Sequence, residues 1–243
     1  MVVLLLRGGI VIRILVMEDE AEIRDVVAAY FRREGWEVDV TGNGHEALQI
    51  FDYGKHDLIV LDLKVEGLAG EEVCKLIREK SKVPIVMLTS KSLESDIING
   101  LNIGADDYVV KPFRVKELVA RAKAITRRIA VDKTDTEASL LSFDNGYLRV
   151  NLSTKEVLVN NQLVKLTNTE YKLLSVFVSK PMKVFERSDL MYRALGYRFH
   201  EDGRSLDVHV KNLRKKIERD PRNPEYVETV VGMGYRFATK PDG

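Results

Sequence analysis

The sequence predicts a doubly wound α/β domain with a five-stranded parallel sheet, followed by a smaller domain of helices and antiparallel hairpins. Three observations carry this. The first half holds five short apolar runs separated by helical periodicities. Each run ends in polar or charged residues: Ile12–Met17 in Glu18-Asp19, Val38–Val40 in Thr41, Asp57–Leu61 in Asp62, Ile85–Leu88 in Thr89-Ser90, and Tyr108–Val110 in Lys111. The second half switches to short alternating segments separated by Asn-rich turns.

Between the runs, Glu20–Arg33 places Ile23, Val26, Val27 and Tyr30 at helical spacing and stops at Gly35. Asn43-Gly44 opens a helix through Ala47, Leu48 and Phe51, and Val73, Leu76 and Ile77 mark the next. After Lys111-Pro112-Phe113, a helix runs through Leu118, Val119, Ala122 and Ile125. In open parallel sheets ligands meet the carboxyl ends of the strands, so Glu18, Asp19, Asp62, Thr89 and Lys111 are expected along one edge. Carboxylates that close repel by about 4 kcal/mol per pair at 4 Å and an effective dielectric near 20. Such a site demands protons or a cation, and an all-oxygen donor set favours Mg²⁺. With Lys111 as a fixed positive donor, an Asp62 oxygen is suited to attack a phosphoryl group, and Thr89 to bond the phosphoryl oxygens.

Ile14-Leu15-Val16-Met17-Glu18-Asp19-Glu20, Leu61-Asp62-Leu63, Leu88-Thr89 and Gly104-Ala105-Asp106-Asp107-Tyr108-Val109-Val110-Lys111-Pro112-Phe113 resemble the receiver domain of two-component response regulators in order and spacing. The resemblance implies that Asp62 is the phosphoacceptor and that Glu18, Asp19, Asp62 and the backbone carbonyl of Lys64 hold Mg²⁺. It implies Lys111 as the phosphoryl partner, a cis Lys111-Pro112 bond, and Thr89 with Tyr108 as a two-position switch. The helix before the fifth strand, that strand and the helix after it would form a dimer face. Its ion pairs would be Asp107 with Arg121 and Asp106 with Arg128, and Glu117 would lack its usual basic partner, because Ile97 stands there. Glu66 replaces the usual proline and adds a carboxylate near the metal site.

Composition narrows the rest. At 243 residues the chain is long enough for two domains. Residues 1–128 hold 19 basic and 21 acidic residues and residues 129–243 hold 19 and 16, too small a difference to name a partner. The one cysteine, Cys74, excludes an internal disulfide and reads as a buried thiol. The apolar start to Ile14 is broken by Arg7 and Arg13 and lacks a small-residue cleavage site, so it reads as an extension leading into the first strand. No run reaches the roughly 18 apolar residues of a membrane span, and a cytoplasmic protein with no membrane partner is expected. His45 and His56 have no second ligand at metal spacing.

Domain bounds follow as 1–128, a polar linker over 129–139, and 140–243. The second domain opens with segments Leu140–Phe143, Tyr147–Asn151, Glu156–Val159 and Leu163–Leu166, with turns at Asn145-Gly146 and Asn160-Asn161. Thr167 or Asn168 caps a helix through Tyr171, Leu173, Leu174 and Phe177, with Glu170 completing a box-like start. Asp189–Leu195 is helical and ends at Gly196. A third helix begins near Gly203, with Leu206, Val210, Leu213 and Ile217 as its core stripe, and Arg204–Arg219 carries 6 basic and 2 acidic residues. Tyr226–Val231 and Tyr235–Ala238 form a terminal hairpin around Gly232-Met233-Gly234. Helix, helix and hairpin compose a winged helix-turn-helix.

Leu166-Thr167-Asn168-Thr169-Glu170-Tyr171-Lys172-Leu173-Leu174, Arg204-Ser205-Leu206-Asp207-Val208-His209-Val210 and Gly232-Met233-Gly234-Tyr235-Arg236-Phe237 resemble the effector domain of the OmpR/PhoB subfamily. The resemblance implies a third helix in the major groove. Arg204, Arg214 and Lys215 would lie near phosphates, Val208, His209 and Asn212 near base edges, Lys211 on the same DNA-binding helix, and Arg236 at the wing. Val231 stands where many relatives carry the arginine of the wing, which weakens minor-groove insertion. The expected function is a phosphorylation-gated transcription regulator, not an enzyme beyond its own aspartyl phosphorylation and dephosphorylation. Its partners would be a sensor histidine kinase, double-stranded promoter DNA, RNA polymerase and, on activation, a second copy of itself. Two rivals stand beside it. Phosphatases with an aspartyl nucleophile generally place an acid two residues after it, where Lys64 stands. A constitutive DNA-binding protein is opposed by intact Asp62, Thr89 and Lys111 and favoured by Glu66 and Ile97.

Overall fold

The computed structural model describes residues 11–53, 56–90, 100–131, 140–196 and 204–242. The N-terminal extension, most of the linker and Ile97 lie outside the described residues. Five strands, β1 (Arg13–Met17), β2 (Glu37–Thr41), β3 (Leu58–Asp62), β4 (Ile85–Thr89) and β5 (Asp107–Val110), form a parallel sheet in the order β2-β1-β3-β4-β5. Every residue of β3 and β4 is buried, as expected of inner strands covered on both faces. Register sets Met17 beside Leu61, Asp62 beside Leu88 and Thr89 beside Val110, so the strand ends fall on one edge.

Helices α1 (Ala21–Arg33) and α4 (Val115–Val131) cover one face through Val27, Phe31, Leu118, Ala122 and Ile125. Helices α2 (Gly44–Tyr53) and α3 (Gly70–Lys80) cover the other through Ala47, Val73, Cys74 and Ile77. A Cβ on Gly70 would lie 2.2 Å from the carbonyl oxygen of Asp62, so only glycine lets α3 start against the end of β3.

The second domain opens with an antiparallel sheet of β6 (Leu140–Phe143), β7 (Leu148–Asn151), β8 (Glu156–Val159) and β9 (Gln162–Leu163). Helices α5 (Asn168–Ser179), α6 (Arg187–Leu195) and α7 (Arg204–Ile217) follow. Thr167 accepts from the Glu170 amide and Glu170 accepts from the Thr167 amide, closing the expected capping box on α5. The α7 stripe of Leu206, Val210, Leu213 and Ile217 is fully buried in one core with Phe177, Phe185, Tyr226 and Phe237.

The expected terminal hairpin is β11 (Val227–Val230) with β12 (Gly234–Phe237), and it gains a third strand, β10 (Val184–Glu186), paired with β12. The sequence reading missed β10 because three residues carry no period of their own. Gly234 has φ +144° and a Cβ there would fall 2.1 Å from the Phe185 carbonyl, which fixes glycine where these strands cross. Glu218, just past α7, is buried and accepts from the amides of Glu225, Tyr226 and Val227, anchoring the wing to the helix.

The two domains pack together. Gly196 ends α6 with φ +86°, and a Cβ added to it would lie 3.1 Å from that of Ala124 on α4. Val208 of α7 belongs to the same buried cluster as Met87, Leu101, Ala105 and Tyr108 of the first domain.

Removing Glu218 leaves the buried amides of Tyr226 and Val227, and the part-buried amide of Glu225, without their acceptor, whereas Thr167→Ala removes one cap. Glu218→Ala is expected to lower unfolding free energy by about 3 kcal/mol or more, and Thr167→Ala by about 1 kcal/mol. Denaturant unfolding followed by circular dichroism checks the ranking; equal or inverted losses would contradict the anchoring role of Glu218.

Candidate functional site

The sheet edge brings together the side chains that strand order predicts. Lys111 Nζ lies 2.5 Å from Asp62 Oδ2, 2.8 Å from Glu18 Oε1 and 3.6 Å from Glu20 Oε1. The Lys111-Pro112 bond is cis. Asp62 Oδ1 accepts the backbone N–H of Lys64 at 3.0 Å, so one oxygen faces the loop after β3 and the other the ammonium. Glu18, Asp62 and Thr89 are buried, and Asp19 is exposed at the rim.

Electrostatics follow from that crowding. Burial pushes the Glu18 carboxyl up to about 7, the Lys111 hydrogen bond opposes this, and the Asp62 charge reinforces it. Burial also works against the Lys111 charge. Hydrogen bonds to Asp62 and Glu18 more than offset that cost and hold the ammonium above its ordinary pKa. Glu18 Oε2 is buried with no hydrogen-bond partner. Oxygen atoms of Glu18, Asp19 and Glu20 lie within 4.8 Å of one another. An orphaned buried carboxylate oxygen in an all-oxygen donor set fits a hard divalent cation.

Two residues escaped sequence reasoning. Glu20 reaches Lys111 and completes the acidic group, and its place in the run Glu18-Asp19-Glu20 was a readable signal. Arg24 donates to the backbone oxygens of Glu18 (2.8 Å) and Asp19 (3.2 Å) and so holds the acidic turn. Only its spacing from that turn hinted at this.

The α7 residues expected near base edges lie against the first domain. Val208, His209 and Asn212 are 7%, 1% and 6% exposed. They are buried by the first domain, with Asn212 Nδ2 3.4 Å from the Leu101 carbonyl oxygen. Lys211 and Lys215 are exposed, while Arg214 donates to the Val227 carbonyl at 2.7 Å and to Thr229 Oγ1 at 2.9 Å. Arg236 pairs with Glu228 at 2.6 Å, and Val231 and Met233 project into solvent. The side chains of Arg204 and Arg128 lie outside the described residues.

The acids of the expected dimer face have partners within one chain. Asp106 Oδ2 accepts from Arg78 (2.7 Å) and the Ile85 amide (3.0 Å), and its Oδ1 accepts from the amide (2.8 Å) and hydroxyl (3.0 Å) of Thr169. Asp107 lies 3.2 Å from Arg121, which also pairs with Glu117 at 2.6 Å. Tyr108 is already buried, in the cluster that contains Val208.

Residues 14–123 match the family described as response regulator receiver domain, and residues 160–237 match transcriptional regulatory protein, C terminal. The chain is 40% identical to sensory transduction protein RegX3 of Mycolicibacterium smegmatis, over 92% of this chain and 98% of that one. It is 41% identical to DNA-binding response regulator MtrA of Mycobacterium tuberculosis, over 92% of this chain and 96% of that one. Among solved structures, DrrB, described as a Thermotoga maritima OmpR/PhoB homolog, aligns with TM-score 0.51 at 27% identity, covering 94% of this chain and all of that one. A RitR mutant shares the fold with TM-score 0.74 at 24% identity, covering 93% of this chain and 98% of that one. A receiver sheet edge that gathers acids around one lysine, joined to a winged helix, accords with these matches along nearly the whole length, and the chain belongs to the OmpR/PhoB family of two-component response regulators.

Proposed function

We propose that Asp62 takes a phosphoryl group from a sensor histidine kinase, and that its loading releases α7 to read promoter DNA. The observation that carries this is Lys111 Nζ shared between Asp62 and Glu18 at the carboxyl edge of the sheet. Glu18, Asp19, Asp62 and the Lys64 carbonyl would hold Mg²⁺, which supplies positive charge against the incoming phosphoryl oxygens. The Lys64 amide orients the Asp62 carboxylate through Oδ1, and Lys111 carries the fixed positive charge beside Oδ2. Attack by an Asp62 oxygen on phosphorus forms the acyl phosphate as the donor's bond to phosphorus breaks, and the Thr89 hydroxyl donates to a phosphoryl oxygen. Turnover is confined to this chain's own aspartyl phosphate.

Gating follows from shared surfaces. Asp106, Asp107, Glu117, Arg121 and Arg128 form the dimer face, with Thr89 and Tyr108 coupling it to the phosphoryl group. In the closed arrangement Asp106 is occupied by Thr169, so closure and dimerisation compete. Once the domains separate, Val208, His209 and Asn212 face base edges. Arg204, Lys211, Arg214 and Lys215 meet phosphates, and Arg236 acts from the wing. Two effector domains on tandem half-sites then bind cooperatively and contact RNA polymerase. This reading keeps domain bounds of 1–128, 129–139 and 140–243 and a cytoplasmic setting. Among the described residues no helix is long and apolar enough to cross a membrane.

Selection from randomised duplex DNA at fixed salt, with and without a small phosphodonor plus Mg²⁺, is expected to enrich a direct repeat. Phosphodonor should tighten binding to it in the wild type and leave Asp62→Ala unchanged; equal gain in both proteins would sink the assignment of Asp62. Lys111→Met should slow phosphoryl uptake by about 10²-fold, the scale of losing one fixed charge stabiliser. Glu18→Gln should weaken Mg²⁺ binding by about tenfold or more in calorimetry, while Thr89→Ala leaves it within twofold. Undiminished Mg²⁺ affinity in Glu18→Gln would remove that residue from the donor set.

A further inference from the structure

The contact between the domains contains a titratable group that the phosphoryl site does not use. His209 lies on α7, 1% exposed, in the seam against the first domain. One ring nitrogen is hydrogen-bonded to the backbone of Asp106, and Nε2 is buried with no partner. A neutral ring satisfies this setting, because it donates once and leaves an idle lone pair in a dry place. Protonation at Nε2 creates an N–H and a positive charge with no acceptor to meet them.

The surrounding charges do not rescue that cation. Asp106 is the nearest acid, and its four acceptor contacts go to Arg78, the Ile85 amide and Thr169. Asp107, also on the receiver side, is paired with Arg121. From the effector side Glu170 of α5 faces the ring, and it is held by Lys216 at 2.6 Å. These acids favour the imidazolium, but each is neutralised by its own cation. Burial outweighs them and holds the closed-state pKa of His209 below its ordinary 6.5.

We propose that His209 makes the interdomain seam a proton-sensitive latch, so that mild acid opens the chain and exposes α7 without a phosphoryl group on Asp62. The sign follows from linkage. The closed form disfavours the proton, so closure is complete above the open-state pKa and weakens as pH falls through it. The loss is at most about tenfold in the closed-to-open ratio per pH unit. Thr169 sets the baseline: it clamps Asp106 through two donors that do not titrate, so its loss weakens closure equally at every pH.

The inference rests on the gated reading above, and the test separates the two. Full-length Asp62→Ala, which takes no phosphoryl group, is followed by amide hydrogen exchange of α7 between pH 7.5 and 5.5, with rates corrected for the intrinsic pH dependence of exchange. Exposure of α7 is expected to rise by about tenfold toward pH 5.5, to stay flat in Asp62→Ala/His209→Gln, and in Asp62→Ala/Thr169→Ala to start higher with the same pH slope. A flat profile in Asp62→Ala, or an undiminished slope after His209→Gln, overturns the latch. A parallel arm adds phosphodonor and Mg²⁺ to the wild type at pH 7.5. If that arm opens α7 while acid does not, the latch fails and the phosphoryl gate stands; if neither opens it, both fail.

Discussion

A carboxylate taken out of water must find donors for its oxygens, and Asp106 finds them in two different domains. Arg78 and the Ile85 amide serve one oxygen from within the receiver, and the amide and hydroxyl of Thr169 serve the other from the start of α5. Separating the domains removes both Thr169 donors from Oδ1, and water must replace them. The closed arrangement is therefore held by a specific polar fit joined to the burial of Val208. Hydrogen bonds to a charged acceptor contribute about 1.5–3 kcal/mol each when both partners are in place, and their exchange for water leaves a smaller net. That scale suits a contact that has to hold and also to yield.

The same fit would give the proposed gate a route from the sheet edge to α7. Thr89 ends β4, Tyr108 lies in β5 beside Met87, and Tyr108 shares its buried cluster with Leu101, Ala105 and Val208. On the proposed switch, a rearrangement of Thr89 and Tyr108 toward a phosphoryl group would pass through the cluster on which α7 rests, because close-packed interiors do not absorb displaced rings without repacking. Phosphorylation need not push the domains apart. On the proposed gate it would have only to favour a repacked cluster over the one that accommodates Val208, and the population of open chains would follow.

Much of this was legible in the residues. The polar end of each apolar run gave the edge that carries Glu18, Asp62, Thr89 and Lys111, since parallel strands leave no choice about which ends gather. The Thr167–Glu170 capping box and the α7 stripe were equally direct, because local hydrogen bonds and a 3.6-residue period are written in consecutive residues. What escaped depends on distant partners. Val184–Glu186 becomes a strand only because β12 lies beside it, and the mutual occupation of Asp106 and Thr169 joins residues 63 apart. The burial of Val208, His209 and Asn212 escaped for a different reason. An amphipathic helix with a second, mildly polar face reads the same whether that face meets DNA or another domain.

That ambiguity is physical as well as analytical. Under the proposed DNA-reading role, a side chain that meets base edges in one state and is buried against protein in the other must satisfy both settings. Asn212 offers donors and an acceptor, Val208 is apolar, and His209 can be neutral; all three tolerate burial. An arginine in place of Asn212 would bring a guanidinium into the seam beside the Leu101 carbonyl, at a cost of several kcal/mol unless a carboxylate joined it. Asp106 and Glu170, the nearby acids, already have cations. If Val208, His209 and Asn212 read bases as proposed, their identity and the tightness of the closed state are thus not independent. On that proposal, a change that retargets the operator through a cation at this position would also loosen the lock, whereas Lys211 and Lys215, which stand in solvent in the closed form, would be free to vary with the phosphate contacts alone.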